Sequence, residues 1–284
     1  MSDRLRPLWD FDDLDASEER LRGQLEVEPS DDGRAEVLTQ LARVEGLRGE
    51  FDAGDKLVAE AERLADENGA AAVRVDLERG RLRRTSGDPE AALPLLESAF
   101  SRAVDAGEWY LAADAAHMAA LAAPGRDGFV AWTQRGIELG EIHEEAAYWA
   151  GPLLNNLGWE HYEAGDHTLA LDAFDRALAV REGDSGNPDG IELAHYAVGK
   201  ALRALGRADE AIPHLEHAVV SAQERGTRDG WYHEELALEY ADTGRIDDAR
   251  EHASAAIPLL ERDDPSFAGD AERASRLHTL AQAS

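Results

Sequence analysis

The sequence predicts an all-α chain of antiparallel helical hairpins stacked in series, and three observations carry that expectation. Hydrophobic residues make up 43% of the 284 positions while aromatics reach only 6%, and much of the apolar share is Ala and Leu, the composition of closely packed helices. Small residues recur at fixed offsets that suit two helices folded back on each other. Runs that look strand-like, such as "AVV" and "VRV", are short and lie inside helical patterns.

The N-terminal stretch "MSDRLRPLWDFDD" has no apolar signal core, and no run in the chain approaches transmembrane length. "DASEERLRGQLEV" (Asp15–Val27) has an acidic first turn after Asp15 or Ser17 and is expected to form a short helix. The hairpin pattern is clearest in Asn155–Glu182. There, residues 152–164 read as one helix with Leu153, Leu154 and Leu157 on an apolar face. Gly165 can take the left-handed geometry that ends a helix, and a second helix begins at Asp166 or His167. Ala170, Leu171, Phe174, Ala177 and Leu178 form its apolar stripe. A turn this short forces the helices antiparallel, so Gly158 and Ala170 are expected where the two backbones approach.

The same offsets return at Gly80, Gly87, Ala92, Leu96 and Ala99; at Gly199, Gly206, Ala211, Leu215 and Ala218; and at Ala237, Gly244, Ala249, Ala253 and Ala256. Near the start they fall on Ala42, Gly49, Gly54, Val58 and Ala61. One unit is degenerate, with His117, Phe129 and Gly136 in three of the small slots, and another has Arg79 where a large apolar residue is usual. Unit starts fall at residues 35, 73, 110, 151, 192 and 230. The C-terminal "DAERASRLHTLAQA" (Asp270–Ala283) is amphipathic and polar enough to close a stack, and "GDSGNPDG" (Gly183–Gly190) reads as a loop between units.

This pattern resembles the tetratricopeptide repeat, a helix–turn–helix unit with small residues at these slots. The resemblance covers roughly residues 35–262 and implies a right-handed α-solenoid of about six hairpins. The expected organisation is an N-terminal strap and capping helix (1–34), the repeat array (35–262) and a C-terminal capping helix (263–284).

Net charge is −30, from 59 acidic and 29 basic residues, a field that repels nucleic acid and anionic membrane surfaces. Cysteine is absent, which removes disulfides, thiolate metal sites and cysteine nucleophiles. The expectation is a soluble cytoplasmic protein. Phosphate-loop, dinucleotide-binding and nucleophile-elbow motifs are missing, so no enzyme activity and no cofactor are expected. "DSGNPDG" lacks the ligands of a calcium loop. "HLEH" gives His214 and His217 a two-ligand spacing with no third ligand, so a packing or solvent-facing pair is expected rather than a metal site. His117 is expected to be a hydrogen-bonded core residue.

In the family it resembles, the first helix of each repeat lines a concave groove through its second, fifth, ninth and twelfth positions. Here those positions hold six basic and three acidic residues, a surplus of +3 in a chain that totals −30. They include Arg43, Arg74, Arg81, Arg84, Lys200 and Arg203, together with Asn155, Trp159, Tyr162 and Tyr196. Arginines and an asparagine suit carboxylates and peptide backbone, and flat rings suit apolar side chains. The expected function is a non-enzymatic scaffold or adaptor that binds an acidic or C-terminal peptide segment in this groove. The alternative is a sensor that closes around a small anionic ligand or signalling peptide. A carboxylate clamp is incomplete, since Asn155 and Asn156 share one helix. The arginines could instead pair with acidic neighbours. "PLWDFDDLD" (Pro7–Asp15) is acidic and aromatic, so it could either strap the first repeat or occupy the groove. Oligomeric state stays open.

Overall fold

Why a sequence so poor in aromatics can hold together is visible in how the helices interlock. The structure, a computed structural model, describes residues 3–67, 69–183 and 188–283. Among these residues every regular element is helical, with fourteen α-helices and three short 3-10 turns. After α1 (Leu14–Val27) come six pairs: α2 (Asp31–Leu47) with α3 (Phe51–Leu64), α4 (Ala70–Thr85) with α5 (Pro89–Ala106), and α6 (Trp109–Ala122) with α7 (Gly125–Ile142). They continue as α8 (Ala147–Glu163) with α9 (His167–Glu182), α10 (Pro188–Ala204) with α11 (Ala208–Glu224), and α12 (Gly230–Asp242) with α13 (Ile246–Asp263), before α14 (Ala271–Ala281). The chain is an all-α solenoid of helical hairpins that divides into two compact units, residues 1–153 and 154–284. Residues 184–187 of the "GDSGNPDG" stretch lie outside the described residues, and α10 already begins at Pro188.

The recurring small residues have a direct steric reason. A Cβ placed on Gly158 would lie 2.3 Å from the Phe174 ring, on Gly80 2.7 Å from Leu96, and on Gly199 2.6 Å from Leu215. In each hairpin a large residue of the second helix fills the space left by the first-helix glycine, and Phe174, Leu96 and Leu215 are fully buried. Seven residues after that glycine comes the turn. Gly165 has φ +82°, a left-handed conformation that side chains with a Cβ adopt at a cost, and Gly49, Gly87, Gly206 and Gly244 repeat it. The degenerate unit keeps the device one residue later, at Gly125 with φ +67°.

Two details differ from the sequence reading, and a third is explained. Helix α1 is capped by Asp13, whose carboxylate accepts from the Ala16 N–H at 2.9 Å, so Asp15 lies inside the first turn, where its charge favours the helix dipole. Helix α8 begins at Ala147 rather than 152, because burial of Trp149, Ala150, Leu153 and Leu154 outweighs the hydrogen bond that Pro152 cannot donate. Arg79 is tolerated in an apolar slot because it makes a two-pronged bridge to Glu62 on α3, at 3.1 and 2.8 Å.

In unit 1 one buried cluster lies under α1–α4 and includes Leu5, Leu21, Leu41 and Leu82, and another lies under α4–α7 around Leu96, Leu111 and Trp132. Unit 2 repeats the scheme with Phe174 and Val198, then Leu215 and Leu236, then Leu260 and Leu277. Each cluster is shared between neighbouring hairpins, as in repeat folds whose stability is distributed along the stack.

Replacing Gly158 with leucine forces the Phe174 ring out of its seat and should lower unfolding free energy by about 3 kcal/mol. Urea unfolding monitored by helical circular dichroism measures this, and Phe174→Ala in the same chain should recover part of the loss.

Candidate functional site

In unit 1 the predicted groove residues come together on the first-helix face of α2, α4 and α6. Most of their charge is already spoken for. Arg74 is buried and bridges Glu36, at 3.0 Å, and Asp3. Arg81 chelates both oxygens of Asp114 at 2.8 and 3.0 Å and meets Glu78 at 3.0 Å. Burial alone would raise the Asp114 pKa, but Arg81 and then Arg43 hold it below the usual carboxylate value. Among the described residues, two of these cations have no carboxylate partner. Arg84 makes one long hydrogen bond, 3.5 Å, to the Leu121 carbonyl. The buried Nε of Arg43 has no partner among the described residues, and its guanidinium lies 5.3 Å from the Trp9 ring and 5.4 Å from the Phe11 ring. Burial, and next to it the charge of Arg81, lowers the Arg43 pKa.

His117 sits within reach of these groups. Burial pushes its pKa down to about 4, and Arg81, Arg43 and Arg84 reinforce that against the pull of Asp114. It tilts against Trp149, with ring centroids 5.3 Å apart, and so packs rather than faces open solvent.

In unit 2 the face is built on α8, α10 and α12. Trp159 is half-buried, edge-on to Tyr162 at 5.6 Å and to Phe174 at 5.0 Å. Tyr196 is only 7% exposed, so it supports this wall more than it presents a surface. Asn155 is likewise buried, and its side-chain carbonyl has no partner among the described residues. Lys200 and Arg203 converge on one buried carboxylate, Glu235, at 2.6 and 2.7 Å. Burial would lower the Lys200 pKa, but Glu235 and then Tyr196 hold it above the ordinary lysine value. Asp242 comes no nearer to Arg203 than 3.8 Å. Two cations therefore share one close anion beside half-buried rings.

Several of these bridges join the first helix of one hairpin to the helix that follows on the same face. Arg74 reaches back to Glu36, Arg81 forward to Asp114, Lys200 and Arg203 forward to Glu235, and Glu234 to Arg273 on α14 at 2.5 Å. Glu78 and Glu235 escaped the sequence reading because they sit beside the groove positions, not on them. Their signal was an acidic residue three residues before a groove arginine or about one repeat after it.

Unit 2 also contains paired histidines. The Nδ1 atoms of His195 and His214 approach to 2.9 Å, and those of His233 and His252, one repeat later, do the same. His217 stacks on His195 with ring centroids 3.8 Å apart. Among the described residues no group of three or more His, Asp or Glu side chains is arranged to hold a metal ion. A cleft of about 690 Å³ in unit 1 is lined by residues from α3, α4 and α5, among them Glu62, Asp76, Arg102 and Asp105. Among the described residues no helix is long and apolar enough to cross a membrane.

Hairpins, interlocked glycines and left-handed turn residues define a helical-repeat protein. Family models described as tetratricopeptide repeat match residues 153–183 and 193–221, so the chain carries tetratricopeptide repeats. Among curated proteins none matches its sequence. Its fold is similar to that of the apo form of RapI, with TM-score 0.70 and 12% identity over 92% of this chain and 73% of that one. It is also similar to a signal transduction ATPase with numerous domains from Pyrococcus horikoshii, which carries a tetratricopeptide repeat sensor. That match has TM-score 0.71 and 15% identity over 93% of this chain but 41% of that one. BtubC from P. vanneervenii matches with TM-score 0.60 and 18% identity, over 79% of this chain and 93% of that chain. At these identities the likeness is one of fold.

Glu235→Gln strands Lys200 and Arg203 beside each other and should cost about 3 kcal/mol, whereas Arg203→Gln leaves Glu235 paired with Lys200 and should cost about 1 kcal/mol. Urea midpoints of the two variants check the ordering. Burial, followed by the neighbouring histidines, depresses the His195 pKa to about 4, and burial, then His252 and Arg228, does so for His233. The folded state thus favours the neutral rings. Their contribution is complete above the unfolded value of about 6.5 and is lost as pH falls from there toward 4. The thermal midpoint should drop across that window, and His195→Gln with His233→Gln should flatten the profile.

Proposed function

We propose that the chain is a non-enzymatic protein-interaction scaffold that binds an acidic or C-terminal peptide segment of another protein on its first-helix faces. The observation that carries this reading is the shared carboxylate in unit 2. Lys200 and Arg203 have one close anion between them, Glu235, beside Trp159 and Tyr162. An incoming carboxylate gains charge-assisted hydrogen bonds from guanidinium N–H groups that Glu235 does not use, and a neighbouring apolar side chain gains the rings. The buried Asn155 carbonyl supplies an acceptor suited to a peptide N–H. In unit 1, Arg84 and Arg43 offer the same surplus. A repeat stack presents such a surface repeatedly without needing catalytic groups.

A sensor for a small anionic ligand is the second reading. The tetratricopeptide repeat sensor named for the Pyrococcus horikoshii protein favours it. A tightly held small molecule found by native mass spectrometry would support the sensor over the scaffold.

The scaffold reading is tested with a panel of synthetic acidic C-terminal peptides, titrated at low salt by fluorescence anisotropy. Arg203→Gln and Arg84→Gln should each weaken the best binder about tenfold, roughly 1.4 kcal/mol. Binding by neither the parent chain nor a variant, or equal binding by all, would discard it.

A further inference from the structure

The N-terminal stretch does more than lead into α1. Residues 3–11 run along the first-helix face of unit 1 and touch the first helices of four successive hairpins. On α2, Arg4 meets Glu36 at 3.0 Å and the Gly33 carbonyl at 3.3 Å, and the Trp9 indole N–H donates to Gln40 at 3.0 Å. On α4, Asp3 holds the buried Arg74. At α6 and the first turn of α8, Arg6 sits among Tyr110 and Tyr148, with its guanidinium 4.0 Å from the Tyr148 ring centroid. Trp9 and Phe11 stack on each other at 4.9 Å, and Arg43 lies against both rings. Leu5, 1% exposed, anchors the segment in the core beside Leu21 and Leu41.

The segment thus supplies what a peptide partner would bring to this face: a carboxylate for Arg74 and flat rings for Arg43. We propose that residues 3–11 are a built-in competitor for the unit 1 face, and that an acidic, aromatic peptide reaches Arg43 and Arg74 by displacing them. This rests on the peptide-binding reading above and adds its regulation. A tethered occupant acts at an effective concentration in the millimolar range, so a free peptide making equal contacts is outcompeted until the tether's contacts weaken. Unit 1 is then held shut by the chain itself, and only a partner that exceeds those contacts opens it.

The geometry also sets what such a partner looks like. Its acidic group and its rings must stand about as far apart as Asp3 and Trp9, six residues along a segment that turns tightly at Arg6–Leu8. A lone aspartate or a lone tryptophan engages only one end and cannot displace the strap.

The probe is a fluorescent synthetic peptide with the sequence of residues 1–13, titrated against the full chain and against a full-chain double variant, Asp3→Asn with Trp9→Ala. The double variant loosens the strap and leaves Arg43, Arg74 and Gln40 in place. It should bind the probe at least tenfold more tightly than the parent chain, and adding Arg74→Gln should erase the gain. Equal affinity in parent and double variant overturns the proposal, as does absence of binding to both. Should the double variant lose its helical signal, hydrogen exchange on the parent chain decides instead. The Leu8 and Trp9 amides donate to the Leu5 and Arg6 carbonyls, each at 3.0 Å, and should exchange faster when the probe is in excess. Unchanged protection with the probe bound overturns the proposal. Acidic-peptide binding that responds to Arg203→Gln but is indifferent to the strap variant removes the competitor and keeps the scaffold.

Discussion

Three of the six hairpins depend on one steric fit: a side chain from the second helix seated on a glycine of the first. Phe174 on Gly158, Leu96 on Gly80 and Leu215 on Gly199 bring two backbones close enough for alanines to finish the interface. Close approach maximises dispersion contact per residue, which is how a core with few aromatics reaches interior packing density. Within each unit the fit holds the two helices of a hairpin together, and the first helices then line up side by side.

Along that face the hairpins are joined by charge. An overall charge of −30 works against a compact fold, and four cations, Arg74, Arg81, Lys200 and Arg203, offset it locally by bridging successive first helices. Buried bridges of this kind add little net stability over apolar contacts, but breaking one is costly because a charge is left without its partner. Their value here is register: Arg74, Arg81 and the Lys200–Arg203 pair each recognise one carboxylate on a neighbouring hairpin. A face that looked like an open basic groove is largely a ladder of internal ion pairs, with a small surplus left for partners.

That surplus differs between the units. Among the described residues, the predicted face cations of unit 1 with no carboxylate partner are Arg43 and Arg84, and the N-terminal segment covers the first of them. In unit 2 two cations share Glu235 beside a half-buried tryptophan. The same repeat geometry thus offers one face already engaged by the chain and one on which two cations share a single close carboxylate.

Repeat spacing, turn glycines and helix pairing were legible in the sequence because they are local. Seven residues from a small residue to a turn glycine can be counted, and Gly165 needs no distant partner to take a positive φ. The identity of the candidate surface was legible only as a list of positions. Whether Arg81 is available or bound to Asp114, 33 residues away, depends on the rise of one hairpin over the next, which no local spacing encodes. The same holds for Asp3 and Arg74, 71 residues apart, whose meeting turns an acidic N-terminus into an occupant of the face. Sequence alone determined the hairpins, since their contacts are short-range and periodic. Tertiary structure decided which charges remain available for a partner, because ion pairing is settled by distances between hairpins.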